Sequence, residues 1–238
     1  MKRMSADEAA EIIQHDQMVA FSGFTPAGSP KALPAAIARR AGELHRAQKP
    51  FQIRLLTGAS ISAAADDALS AADAVSWRAP YQTASGLRQK INQGKVKFVD
   101  LHLSEVAQMV NYGFFGEIDV AVIEASAIAP DGRVWLTSGI GNAPTWLLRA
   151  KKVIIELNHY HSPRVAELAD IVLPGAPPRR NSIAIFHAMD RVGSRYVQID
   201  PKKIVAVVET ELPDAGNLLD KNNPVCQKIA DNVVTFLL

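Results

Sequence analysis

The chain has 238 residues, 48% apolar and 21% charged, with a net charge of +2; this globular composition excludes a disordered chain, and the near-zero charge argues against a nucleic-acid surface. Its longest apolar runs, such as Ile204–Val208, are strand-sized and fall far short of the roughly 20 residues of a membrane span. A single cysteine, Cys226, excludes an internal disulfide framework and a multi-cysteine metal site.

The first stretch, M-K-R-M-S-A-D-E-A-A-E-I-I, reads as an amphipathic helix with acids near its start rather than a signal peptide, so a cytoplasmic protein is the simplest reading. Ser5 is its expected N-cap, and Ile12, Ile13 and Met18 carry its apolar side into a strand over Met18–Phe21. That strand breaks into Gly23, Pro26, Gly28 and Pro30. A helix follows from about Lys31 to Arg46, with Leu33, Ile37 and Ala41 on one stripe. A strand, a glycine-rich turn and a helix start place backbone N–H groups around a ligand, or make a tight βα connection with none. The spacing is neither G-x-G-x-x-G nor a P-loop.

Gln52–Leu56 is the second expected strand. It leads into T-G-A-S-I-S and an Ala-rich helix around Ala63–Ala72. Ala74–Thr83, A-V-S-W-R-A-P-Y-Q-T, reads as a loop with two aromatics and an arginine, ahead of a helix near Ser85–Asn92. Lys97–Leu101 is a strand and Ser104–Val110 a short helix. Ile118–Glu124 is a buried strand, and Asp131-Gly132 between apolar flanks predicts a hairpin. A second glycine-rich loop, T-S-G-I-G-N-A-P-T-W, opens a helix, and Lys152–Leu157 is a strand. Ala169–Leu173 is a short apolar segment, and P-G-A-P-P-R-R-N is a rigid surface loop. Tyr196–Ile199 and Lys203–Val208 flank Asp200-Pro201, the second a parallel-type strand. Asp214–Asn223 reads as a polar linker. Pro224–Leu238 is a last helix with Val225, Ile229, Val233 and Phe236 at helical spacing. Alternating strands and helices predict a three-layer α/β/α domain with a mainly parallel sheet, whose ligands bind beyond the carboxyl ends of the strands.

Catalytic groups are hard to find by spacing. His159 and His161 form an H-x-H pair with no acid or cysteine at ligand spacing, so no metal is expected. Ser22, Ser60, Ser126 and Ser138 sit near loops, none in G-x-S-x-G. Glu105, Glu124 and Glu156 lie at or near element ends, where a carboxylate is more often a cap or an ion-pair partner than a nucleophile.

Four stretches, F-S-G-F-T-P-A-G-S-P-K-A-L-P, L-L-T-G-A-S, W-R-A-P-Y-Q-T and T-S-G-I-G-N-A-P-T-W, read in this order, resemble the N-terminal half of the acetyl-CoA hydrolase/transferase family, the class I coenzyme A transferases. The resemblance runs over essentially the whole chain. It implies a CoA-transferase-like α/β domain over residues 1–213, then a linker and the start of a helix over 214–238 leading to a C-terminal domain. It also implies transfer of CoA between short acyl-CoAs and carboxylates such as succinate, acetate or propionate, through a glutamyl-CoA thioester. The family's glutamate belongs to the second half, beyond Leu238, and no acid here matches its motif. What carries over is one wall of the site: Gly23, Phe24, Thr25, Pro26, Ala27 and Gly28; Ser60; and Gly139, Gly141, Asn142 and Pro144. Arg78 and Tyr81 are candidates to face a carboxylate acceptor, with a pairing of Arg78 to Asp66 or Asp67 equally compatible. The implied partners are an acyl-CoA and a carboxylate as substrates, the C-terminal half, and further copies in a homo-oligomer. No permanently bound cofactor, nucleic acid or membrane is expected. A thioester hydrolase and a non-catalytic acyl-CoA-binding module are the alternatives. A domain built to face a second half is expected to leave an apolar patch uncovered around Val233, Val234, Phe236 and Leu237, whereas a C-terminus packed into the chain's own core would argue for a complete domain.

Overall fold

The structure, a computed structural model, describes residues 1–60, 63–215 and 223–238. Ile61 and Ser62 of the second loop and residues 216–222 of the expected linker lie outside the described residues.

Helix α1 (Ala6–Ala10) starts on a capping box: Ser5 Oγ accepts the Glu8 N–H, and the Glu8 carboxylate accepts the Ser5 N–H. Strand β1 (Met18–Phe21) leads to α2 (Ala32–Arg46), then β2 (Ile53–Leu56), α3 (Ala63–Ala71), β3 (Val75–Ala79), α4 (Ser85–Asn92), β4 (Lys97–Phe98) and α5 (Leu103–Asn111). The second half runs β5 (Ile118–Ile128), β6 (Arg133–Leu136), α6 (Ala143–Arg149), β7 (Ala150–Asn158), β8 (Val197–Gln198), β9 (Ile204–Thr210) and α7 (Pro224–Leu237).

Nine strands form one sheet. Seven of them run parallel in the order β4-β3-β2-β1-β5-β7-β9. The end of β5 outruns its neighbours and folds back as an antiparallel hairpin with β6, turning at Asp131-Gly132, and β8 pairs with β6. Returning along β6, the chain re-enters the carboxyl edge of the parallel sheet, which brings its glycine loop beside the loop after β1.

Strand alternation sends side chains into two cores, one on each face. Val19, Phe21, Val120, Val122 and Ile154 pack under α1 to α4. Met18, Ala20, Ala121, Ile123 and Ile155 pack against α5 and α6. Trp146 of α6 is fully buried, and its Nε1–H donates to the Phe21 carbonyl at 3.1 Å, fixing α6 to the exit of β1.

Three sequence expectations change. Ala74–Thr83 is not a loop, because Val75–Ala79 forms β3, parallel to β2. Its arginine, Arg78, is fully buried beside Asp66, and Trp77 stacks edge-on to Phe115. The Lys97–Leu101 strand shortens to two residues. Asp214, read as the start of a linker, instead lies against the glycine loops, as described below.

Helix α7 is locally well made. Asn223 Oδ1 accepts the Val225 and Cys226 N–H groups, and Pro224 takes the first helical position. None of its residues is buried: Val233, Val234, Phe236 and Leu237 lie exposed, as the sequence anticipates, and so do Val225 and Ile229. The irregular stretch after Val172 also lies at the surface, with Phe186 and Met189 open to solvent.

Candidate active site: the carboxyl edge of the sheet

The loops expected to share a site converge. A Cβ placed on Gly58 would lie 2.7 Å from the Gly23 carbonyl oxygen, and one on Gly141 2.8 Å from the same atom. The loops after β1, β2 and β6 therefore meet backbone against backbone. Gly28 and Gly139 allow the closest approach. Gly28 adopts φ +68°, and a Cβ there would meet the Gly139 oxygen at 2.6 Å, while a Cβ on Gly139 would meet the Ala27 oxygen at 2.2 Å. Ser22 closes the first loop: its Oγ donates to the Gly28 carbonyl and accepts the Glu124 N–H, both at 2.8 Å. Phe24 is half exposed at the tip of that loop, beside Thr25 and Pro26.

Gly141, Asn142 and Pro144 open on their other side to a cleft of about 700 Å³ between α5, α6 and residues 170–176. Asn142 is the residue before α6, and Pro144 is buried in the first turn of that helix. Ser60 lies at the end of the described part of the β2 loop. Its Oγ donates to Asp66 Oδ2 at 3.1 Å and accepts the Thr83 N–H at 3.2 Å.

The start of α2 is not an open anion site. Its first N–H groups are already satisfied by a carboxylate from β7: Glu156 accepts the N–H groups of Lys31, Ala32 and Leu33 at 2.5–3.1 Å. Glu156 is thus a cap delivered from across the sheet. Burial pushes its carboxyl above the usual range, the three N–H groups pull it down, and the nearby Glu124 charge adds to the upward push.

Glu124 stands beside Glu156 in register on β5, fully buried. Lys31 Nζ donates to Glu124 Oε1 at 2.6 Å, to Asp214 Oδ1 at 3.0 Å and to the Ser29 carbonyl at 3.1 Å. Thr137 Oγ1 donates to Glu124 Oε2 at 3.1 Å, and Asn158 Nδ2 donates to Glu124 Oε1. Burial raises the Asp214 carboxyl, but donors from Ser138, Lys31 and the Gly28 N–H outweigh it and hold the group below its ordinary value. His161 Nε2 is buried with no hydrogen-bond partner among the described residues, 3.7 Å from Glu124 and 3.8 Å from Asp214. Glu124, His161 and Asp214 lie close enough together to hold a cation. The Lys31 ammonium already bridges the two carboxylates. Spacing along the chain had placed no acid beside His161; folding supplies two.

Arg78 is turned inward, toward Asp66 and the Ala59 carbonyl. It is fully buried, with Nη2 3.2 Å from the Ala59 carbonyl and 3.5 Å from Asp66 Oδ1. The pairing of Arg78 with Asp66, one of the two alternatives the sequence left open, is present in the fold. Burial lowers its pKa and Asp66 raises it in part. Tyr81 is half exposed at a shallow cleft of about 460 Å³ that it shares with Asp100, His102 and Glu105. The chain's expected acids therefore separate: Glu156 caps a helix, Glu124 pairs with Lys31, and Glu105 is exposed.

Sequence reasoning missed Lys31, Thr137, Asn158 and Asp214 as members of the site. Lys31 had a visible signal, as the lone cation between a proline-stiffened loop and a helix start. Asp214 had none.

Comparisons with known proteins agree with this architecture. The chain is 88% identical over 236 residues to the propanoyl-CoA:succinate CoA transferase of Escherichia coli K12, covering 99% of this chain and 48% of that protein. It is 40% identical to the succinyl-CoA:acetate CoA-transferase of Clostridium kluyveri, covering 99% of this chain and 43% of that protein. The chain thus spans about half the length of these relatives. Two solved structures share its fold: RipA from Yersinia pestis (TM-score 0.65, 20% identity, 97% of this chain and 48% of that one) and glutaconate coenzyme A-transferase from Acidaminococcus fermentans (TM-score 0.58, 15% identity, 98% and 84%). Since the model of the acetyl-CoA hydrolase/transferase N-terminal domain also matches residues 1–209, the chain belongs to the acetyl-CoA hydrolase/transferase family.

Proposed function

We propose that this chain is the N-terminal portion of a CoA transferase that moves CoA between short acyl-CoAs and carboxylates, propionyl-CoA with succinate or acetate foremost. The carrying observation is the 88% identity over 236 residues to a propanoyl-CoA:succinate CoA transferase. In this reading a glutamate outside the chain attacks the thioester, an acyl-glutamyl anhydride forms, and a glutamyl-CoA thioester follows. Residues Gly23–Gly28, Ser60 and Gly139–Pro144 form one wall of that site, where loop N–H groups face the oxyanion of each addition. Residues 1–213 act as the domain, with Asp214 bonded onto it, and the stretch that follows, up to 238, as the passage to the second one. CoA enters as a substrate and not as a resident cofactor, and the protein works in the cytoplasm as a homo-oligomer. Among the described residues no helix is long and apolar enough to cross a membrane.

Transfer needs an oriented carboxylate, and orientation supplies up to about 7–11 kcal/mol of the barrier reduction. The 238-residue chain alone should therefore show no exchange above background. A protein extended by the length that its relatives carry should exchange CoA, and hydroxylamine or borohydride should trap a thioester only there. Turnover by the chain alone would overturn this reading. Hydrolysis is a second reading, favoured by relatives named acetyl-CoA hydrolase, such as that of Schizosaccharomyces pombe at 34% identity. Release of free CoA without an acceptor acid would select it.

A further inference from the structure

Asp214 ties together three segments that are far apart in the chain. Its Oδ1 accepts the Gly28 N–H at 3.3 Å and Lys31 Nζ at 3.0 Å, and its Oδ2 accepts the Ser138 hydroxyl. Ser138 immediately precedes Gly139, whose backbone touches the loop of Gly28. Asp214 is itself held in place. Asn158 at the end of β7 grips Leu212 from both sides, donating to its carbonyl at 2.7 Å and accepting its N–H at 3.1 Å. One side-chain carboxylate thus bonds to both glycine loops, and its own segment is anchored to the central sheet.

We propose that Asp214, anchored by Asn158 and Lys31, is a positioning residue that sets the spacing of the Gly23–Gly28 and Gly139–Pro144 loops at which both face a bound acyl-CoA. The functional half of this inference rests on the CoA-transfer reading above. At Gly28 and Gly139 the loops meet backbone against backbone, and glycine has no side chain to define their relative position. Bonds to Gly28 and Ser138 supply that definition. A misplacement of about 1 Å at such a wall costs about 10²-fold in rate.

Two readouts test it. In the chain as it stands, hydrogen exchange should rise about tenfold or more at residues 23–31 and 137–142 in Asp214→Ala, with β5 and β7 unchanged. In the extended protein, the same variant should lose about 10- to 100-fold in kcat for CoA exchange, with KM for propionyl-CoA nearly constant. Asp214→Asn keeps the shape and an acceptor oxygen, so it should fall between wild type and Asp214→Ala. It also supplies both readings if the alanine variant fails to fold. Loops that exchange as in wild type in both variants would overturn the proposal, as would faster exchange spread evenly over β5 and β7. Loosened loops in a protein whose wild type moves no CoA would instead sink the CoA-transfer reading and leave the tie between the loops standing.

Discussion

Two buried cations serve the same edge of the sheet in opposite ways. Lys31, on the β1 side, meets three oxygens within 3.1 Å, two of them on carboxylates. Arg78, on the β3 side, reaches Asp66 only at 3.5 Å, and its Nε and Nη1 are buried with no hydrogen-bond partner among the described residues. Removing a charge from water costs several kcal/mol, and that cost is recovered only when the geometry is good and the remaining donors are satisfied. By that measure the Lys31 network stabilises the edge. Arg78 costs about what it returns, and its visible contribution is to hold the Ala59 carbonyl and so the β2 loop. A compact ammonium suits a three-way junction of loops, whereas a planar fork needs partners arranged to match it.

Lys31→Met breaks the comparison most severely, because it strands the buried Glu124 and takes the cation from the partly buried Asp214. The expected loss is about 3–5 kcal/mol, measured by urea denaturation; a loss below about 1 kcal/mol would show that this network is no more stabilising than that of Arg78.

Gly139→Ala tests whether the loops need the network at all. Its Cβ would strike the Ala27 carbonyl, a backbone atom that cannot swing aside, and the expected cost is about 1–3 kcal/mol. Little change in unfolding midpoint would mean that the loops have slack and that Asp214 has nothing to fix.

The double variant Arg78→Met with Asp66→Asn should sit within about 1 kcal/mol of wild type, since removing a poorly matched buried pair together avoids an orphan charge. A loss as large as that of Lys31→Met would place the two cations in one class.

The smallest expected effect is a change of slope with pH. Burial raises the Glu156 carboxyl above its ordinary value of 4.5. A raised folded pKa stabilises fully below the unfolded value and loses that stabilisation as pH rises through the folded one. The stability advantage of wild type over Glu156→Gln should therefore shrink as pH climbs from 4.5, followed by chemical denaturation across the acid range. An advantage that grows with pH would mean that the α2 N–H groups win over burial.

Periodicity and turn chemistry made most of this fold legible. The Ser5 cap, the Asp131-Gly132 hairpin and the Ser85–Asn92 helix are local signals, and each appears where the sequence places it. Convergence of the glycine loops was also readable, because parallel strands put their exits on one edge. The rest depended on contacts between distant residues. Arg78 reads as part of a loop until β3 is placed between β2 and β4. Glu156 looks like any strand-end acid until the sheet order sets it under α2. Asp214 lies 186 residues from Gly28, and nothing local distinguishes it from the other polar residues of its stretch.

Sheet order also has a consequence for biosynthesis. β1 is flanked by β2 on one side and by β5 on the other, with Val19 opposite Val120. On the ribosome, one edge of β1 finds its partner soon after emerging, while the other waits for about a hundred more residues, or about 5–20 s at ordinary elongation rates. Through that interval four consecutive residues that end up buried, Met18 to Phe21, present an unpaired apolar edge. The nascent chain is therefore most vulnerable to misassociation and most in need of a holding chaperone before β5 has been translated, and slowing elongation between β2 and β5 should lower the soluble yield.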